Sequence, residues 1–156
     1  MLLTQRITQD LVAAQKAQEK IKMSSLRMLR AAIQTAAIEA KPQELDEAGV
    51  LQVIRKLIKQ RKESIEAFRK GGRQDLVDQE TAELAVLEQY MPAAVPPEDI
   101  RRAVTEAIRS VGATSAKDFG RVMKQAMASL AGRADGKDVQ QVVQTLLTSG
   151  GAGSTT

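Results

Sequence analysis

Apolar residues recur every three to four positions along almost the whole chain, and this spacing limits the fold to packed helices. Seven amphipathic segments can be read. The first spans about Thr4 to Lys20 and turns Ile7, Leu11, Ala14 and Ile21 to one side. The second is expected to start at Ser24 or Ser25, good N-cap residues, with Leu26, Leu29, Ile33 and Ala37 inward and Pro42 ending it. The third, from about Asp46 to Lys70, carries Val50, Ile54, Leu57, Ile58, Ile65 and Phe68, and Gly71-Gly72 stops it. The fourth runs from about Gln74 to Tyr90.

Pro92 to Pro97 holds three prolines in six residues and cannot continue a helix. Pro97 suits a first helical position, with Glu98 and Asp99 in the first turn. The fifth helix then carries Ile100, Val104 and Ala107 and ends at Gly112. Thr114 or Ser115 is expected to cap the sixth, and Asp135 the seventh, after a loop from Gly132 to Lys137. These readings give an all-α chain in two domains. A four-helix N-terminal bundle spans 1–91, a linker 92–97, and a three-helix domain 98–148. The Gly/Ser/Thr-rich tail 149–156 is expected to be disordered.

Composition narrows the chemistry. The 156 residues include no Cys and no His, which excludes disulfides, thiol nucleophiles, thiolate or imidazole metal ligands, and the commonest general base. No metal or cofactor site is expected. Ser24-Ser25 near Lys22 is read as helix capping rather than as a nucleophile with its base. No apolar run suits a membrane span, and the start Met1-Leu2-Leu3-Thr4-Gln5-Arg6 does not read as a secretory signal, so a cytoplasmic location is expected. The loop Gly132-Arg133-Ala134-Asp135-Gly136-Lys137 is no P-loop: three residues separate its glycines and Asp138 follows the lysine. It still joins two cations to a helix N-terminus, where backbone N–H groups attract anions.

The net charge of +4 is unevenly spread. From Arg55 to Arg73 there are eight basic and two acidic residues, and from Asp75 to Glu88 five acidic and no basic ones. Arg55, Lys59, Lys62, Arg69 and Arg73 fall on one side of a wheel drawn through the third helix. Two readings stay open: a solvated face pairing with the acidic fourth helix, or a stripe that tracks phosphates. Arg61 falls within the apolar stripe and needs a carboxylate, with Asp75, Glu80 and Glu83 available.

Several runs are similar to the GatB/YqeY family, and to its stand-alone YqeY-like branch in particular. They are Ser25-Leu26-Arg27-Met28-Leu29-Arg30-Ala31-Ala32-Ile33, Lys59 to Phe68 with Gly71-Gly72-Arg73, Glu80-Thr81-Ala82-Glu83-Leu84, Tyr90-Met91-Pro92, Phe119 to Lys124, and the 132–137 loop. The resemblance implies two helical domains and kinship with the tRNA-gripping tail of the glutamyl/aspartyl-tRNA amidotransferase. The function expected is a non-catalytic RNA-binding accessory module, with tRNA or another structured RNA as partner. Phosphate contact is expected from Arg55, Lys59, Lys62 and Arg73 in the first domain, and from Arg121, Lys124, Arg133 and Lys137 in the second. Arg61 and Asp135 are expected to be structural. Scarce aromatics (2%) favour recognition of shape and backbone over base stacking. The alternatives are a carbon–nitrogen ligase component with glutamine as amide donor, working in an amidotransferase or synthetase complex, and a protein-interaction adaptor.

Overall fold

Ala, Leu, Met, Lys, Gln and Glu, which favour helices, dominate the periodic segments, and each apolar stripe needs a partner helix to cover it. The computed structural model describes residues 1–150 and divides them into two compact units, the first ending at Pro92 and the second starting at Ala93. Among the described residues all regular structure is helical.

The first unit contains α1 (Leu3–Ala17), α2 (Lys20–Glu39), α3 (Glu47–Lys70) and α4 (Gln74–Glu88). Its core is built from Ile7, Leu11, Leu26, Leu29, Ile33, Val50, Ile54, Leu87 and Tyr90. Here α3 packs along α4, α1 along α2, and α2 against both α3 and α4. Asp46 caps α3 through a 2.8 Å bond from the Gly49 N–H. The neighbouring Glu47 carboxylate accepts from the Leu3 N–H at 3.2 Å, so one acidic side chain at the start of α3 also satisfies a donor at the start of α1.

The α1–α2 boundary differs from the sequence reading. Helix α1 ends at Ala17 rather than near Lys20, and α2 starts at Lys20 rather than after Ser24. Gln18 adopts a left-handed conformation (φ 56°) that turns the chain, and the Glu19 N–H closes back on the Ala14 carbonyl at 3.0 Å. Neither serine is a cap. Ser25 is buried inside α2, and Ile21, expected inward, is 45% exposed. The turn has no glycine or proline to mark it, so apolar spacing alone carried the first helix too far.

The second unit contains α5 (Pro97–Val111), α6 (Phe119–Leu130) and α7 (Gly136–Gly150), around Ile100, Val104, Ala107, Val122, Ala126, Leu130, Ala134, Val139, Val143 and Leu147. Pro97 opens α5, and Gly112 closes it with φ 66°, which glycine adopts without steric cost. Ser115 caps a short 3-10 turn, Ala116–Asp118, that leads into α6. Helix α7 takes in Gly136 and Lys137, placed in the loop by the sequence reading. It continues through Ser149 and Gly150, where that reading starts a disordered tail; the rest of that expectation, 151–156, lies outside the described residues. Among the described residues no helix is long and apolar enough to cross a membrane.

Candidate nucleic-acid interface

The cations expected to touch phosphate divide between the units, four in each. In the first, Lys59 and Lys62 stand exposed on α3. Lys62 Nζ lies 3.9 Å from Glu88, an exposed pair that contributes little. Arg55 is different: it is half-buried and its Nη1 is sheltered from solvent, so it presents less charge outward than the wheel suggests. Arg73 does not belong to α3 at all. The helix stops at Lys70, Gly72 turns the chain with φ 71°, and Arg73 becomes the residue before α4. There its guanidinium grips Asp75 through two bonds of 3.1 and 2.9 Å. That hydrogen bond holds the Asp75 carboxyl below its ordinary range.

In the second unit Arg121 donates to Asp118 at 2.8 Å, while Lys124 is exposed on α6. Asp118 is held below the usual carboxylate range first by the Thr114 N–H at 2.9 Å, then by Arg121. The loop between α6 and α7 is tightly built. Ala131 and Gly132 take left-handed φ values of 51° and 72°, and Ala134, a loop residue by sequence, is buried in the core. Exposed Arg133 and Lys137 stand on either side of it. Arg133 Nε donates at 3.1 Å to the Leu130 carbonyl, which also accepts from the Arg133 backbone N–H at 3.0 Å. Its side chain borders a groove of about 630 Å³ that Asp99, Arg102, Glu106 and Ser129 also line. Asp135 precedes α7, and its carboxylate accepts from the Lys137 N–H at 3.1 Å.

Arg61 is drawn into the first unit. Nη1 meets Glu80 Oε2 at 2.7 Å and also pairs with Glu83, while Nη2 lies 2.9 Å from Met28 Sδ. The side chains of Arg61, Glu80 and Glu83 are 17%, 15% and 8% exposed, so α2, α3 and α4 meet on a largely dry ionic node. Asp75, the other carboxylate within reach by sequence, is taken by Arg73.

Among the described residues five cations meet an acid one turn along, three residues earlier: Glu19–Lys22, Glu66–Arg69, Asp99–Arg102, Glu106–Arg109 and Asp118–Arg121. Arg27 and Arg30 of α2 and Lys56 of α3, absent from the expected contacts, are exposed and have no ion pair among the described residues. For the two arginines the signal was available: no acid occurs between Lys20 and Ile38. Among the described residues no group of three or more acidic side chains is arranged to hold a metal ion.

The ordered motifs and the helical architecture meet one family description, Yqey-like protein, which matches residues 4–147. The chain belongs to the YqeY-like family. The chain is also similar to fungal proteins called "Altered inheritance of mitochondria protein 41, mitochondrial". The Pyrenophora tritici-repentis protein is 35% identical over 145 residues, covering 91% of this chain and 79% of its own. The Eremothecium gossypii protein is 38% identical over 90 residues, covering 58% of this chain and 49% of its own. The Kluyveromyces lactis protein is 38% identical over 87 residues, 56% and 47% respectively. The chain thus spans about half the length of the latter two. Those relatives are named as mitochondrial, which differs from the cytoplasmic location expected for this chain.

Proposed function

We propose that this YqeY-like protein is an accessory module that binds structured RNA, tRNA in the first instance, through its phosphate backbone and without catalysis of its own. The observation that carries the reading is the α6–α7 loop. Buried Ala134 anchors it, with exposed Arg133 before α7 and exposed Lys137 in its first turn, where the helix dipole favours an anion beside the Asp135 cap. A fixed backbone lets two cations meet a phosphate without first being ordered. Lys59 and Lys62 on α3 and Lys124 on α6 are further contacts; Arg73 and Arg121 contribute less, because each is engaged by a carboxylate.

The test is tRNA binding by the full chain across a salt series. Arg133→Ala with Lys137→Ala should weaken binding to all tRNA sequences and flatten the salt slope by about one to two units. Arg133→Ala also removes a bond to the end of α6, so a loss of about 0.5–1 kcal/mol in stability is expected from that change. Unchanged affinity and slope in the double variant would remove the loop from the interface. Glutamine- and ATP-dependent amidation of tRNA by the protein in a larger complex would favour the ligase component instead, and a protein partner retained after RNase treatment would favour the adaptor. Imaging a tagged full chain in its own cell separates the cytoplasmic expectation from the mitochondrial location in the relatives' names.

A further inference from the structure

We infer that the outer face of α2, with Arg27 on it and Arg30 at its edge, is a second phosphate-backbone surface for structured RNA. The inference rests on the RNA reading above and extends it to residues outside the loop.

Two independent observations carry it. The first is the placement of like charges on α2. Arg69, Arg102, Arg109 and Arg121 each meet an acid three residues earlier, whereas Arg27 has Ser24 in that place and Arg30 has Arg27. Like charges one turn apart weaken a helix slightly, so the Arg27–Arg30 pair works against the stability of α2. Such local conflicts are expected where a surface serves a partner. The second observation is the make-up of the face. Ser24, Arg27, Ala31, Gln34 and Ile38 recur at three- and four-residue steps, and all five are exposed. From Ser24 to Ile38 the face runs for about 21 Å at 1.5 Å per residue, without a carboxylate.

That chemistry selects the partner. An acid-free face attracts a polyanion, and side chains such as Arg, Ser and Gln are those that bind phosphate and sugar oxygens without reading bases. Small residues between the cations let a backbone come close. The absence of aromatics from the face fits a duplex recognised by shape and 2′-hydroxyls better than a stacked single strand.

The experiment compares the full chain with two charge-matched variants, using tRNA and a plain RNA duplex over a salt series. Arg27→Glu with Arg30→Glu should weaken binding to both RNAs at least tenfold at low salt and flatten the salt slope by about two units. The control is Arg69→Glu with Arg109→Glu, which makes the same change in net charge at arginines already paired on α3 and α5; it should stay within about threefold of the wild type. Melting curves of the two variants establish that both remain folded. Equal losses in the two variants would overturn the inference and leave the loop reading standing, because net charge alone would then explain the effect. Displacement from this face by polyglutamate but not by RNA would overturn it in favour of an acidic protein partner. No RNA binding by the wild-type chain at any salt concentration would overturn both readings.

Discussion

The hydroxyl of Tyr90 donates to the Asp10 carboxylate at 2.6 Å and so fastens the segment after α4 to the middle of α1. Arg6 completes the contact, with its guanidinium 4.9 Å over the Tyr90 ring, its Nε 3.8 Å from Asp10, and its Nη2 donating to the Gln89 carbonyl at 3.4 Å. Tyr90 is 3% exposed, so the ring serves the core while its oxygen reaches a charged partner.

Tyr90→Phe should keep the packing and lose about 1.5 kcal/mol, the worth of a hydrogen bond to a charged group whose acceptor can still reach water. Burial pushes the Tyr90 hydroxyl above its ordinary titration range, and the bond to Asp10 adds to this. A raised phenol contributes stability that is fully present below the ordinary tyrosine pKa of about 10 and is lost as pH rises beyond it. The chain has a single tyrosine, so its absorbance near 295 nm reads the titration directly. Wild type should lose stability above pH 10 faster than the Phe variant; parallel curves would show that Tyr90 titrates normally.

Arg61→Ala should cost about 3 kcal/mol in denaturant unfolding, because it leaves Glu80 and Glu83 facing each other in a largely dry site. Arg61→Lys should recover only part of this, since an ammonium cannot serve Met28 and both carboxylates from one fork. A midpoint unchanged by Arg61→Ala would mean that water already reaches the node.

Asp118 joins the start of α6 to the preceding turn, accepting from the Thr114 and Ser115 N–H groups and from Arg121. Its carboxyl is held low by these donors, so the stability it contributes is present above the ordinary aspartate pKa of about 4 and is lost as pH falls through the depressed value. Asp118→Asn should therefore lower the melting temperature at pH 7 and make less difference below pH 3. A deficit that stays constant with pH would show that charge plays no part.

Asp135→Ala should cost about 1 kcal/mol by removing the acceptor for the Lys137 N–H at the start of α7. It should leave the salt dependence of RNA binding near that of wild type, because the cations remain. A variant as stable as wild type in thermal unfolding would show that water replaces the cap.

Much of the fold was legible because a helix is written locally. Ile7, Leu11 and Ala14, or Val139, Val143 and Leu147, declare a buried face by spacing alone, and Asp46 and Pro97 mark starts by chemistry that acts within one turn. The position of Arg61 inside an apolar stripe was legible for the same reason. The candidate interface was legible as a set of cations but not as a surface. Arg73 and Asp75 lie two residues apart, yet their mutual grip depends on the turn that ends α3, and the burial of Ala134 depends on how the α6–α7 loop settles on its core.

The sequence by itself determined that the described chain is helical, where most of its helices lie, which faces they bury, and that Arg61 needs a carboxylate. Tertiary structure alone decided that Glu80 and Glu83 answer it, that Tyr90 reaches Asp10 across 80 positions, and that Gln18 rather than a glycine turns α1 into α2. The reason is range. Spacing and capping act within a turn or two of one helix, whereas a partner across the core is chosen by how helices cross. A left-handed glutamine is tolerated only because the packing of α1 on α2 outweighs its local cost.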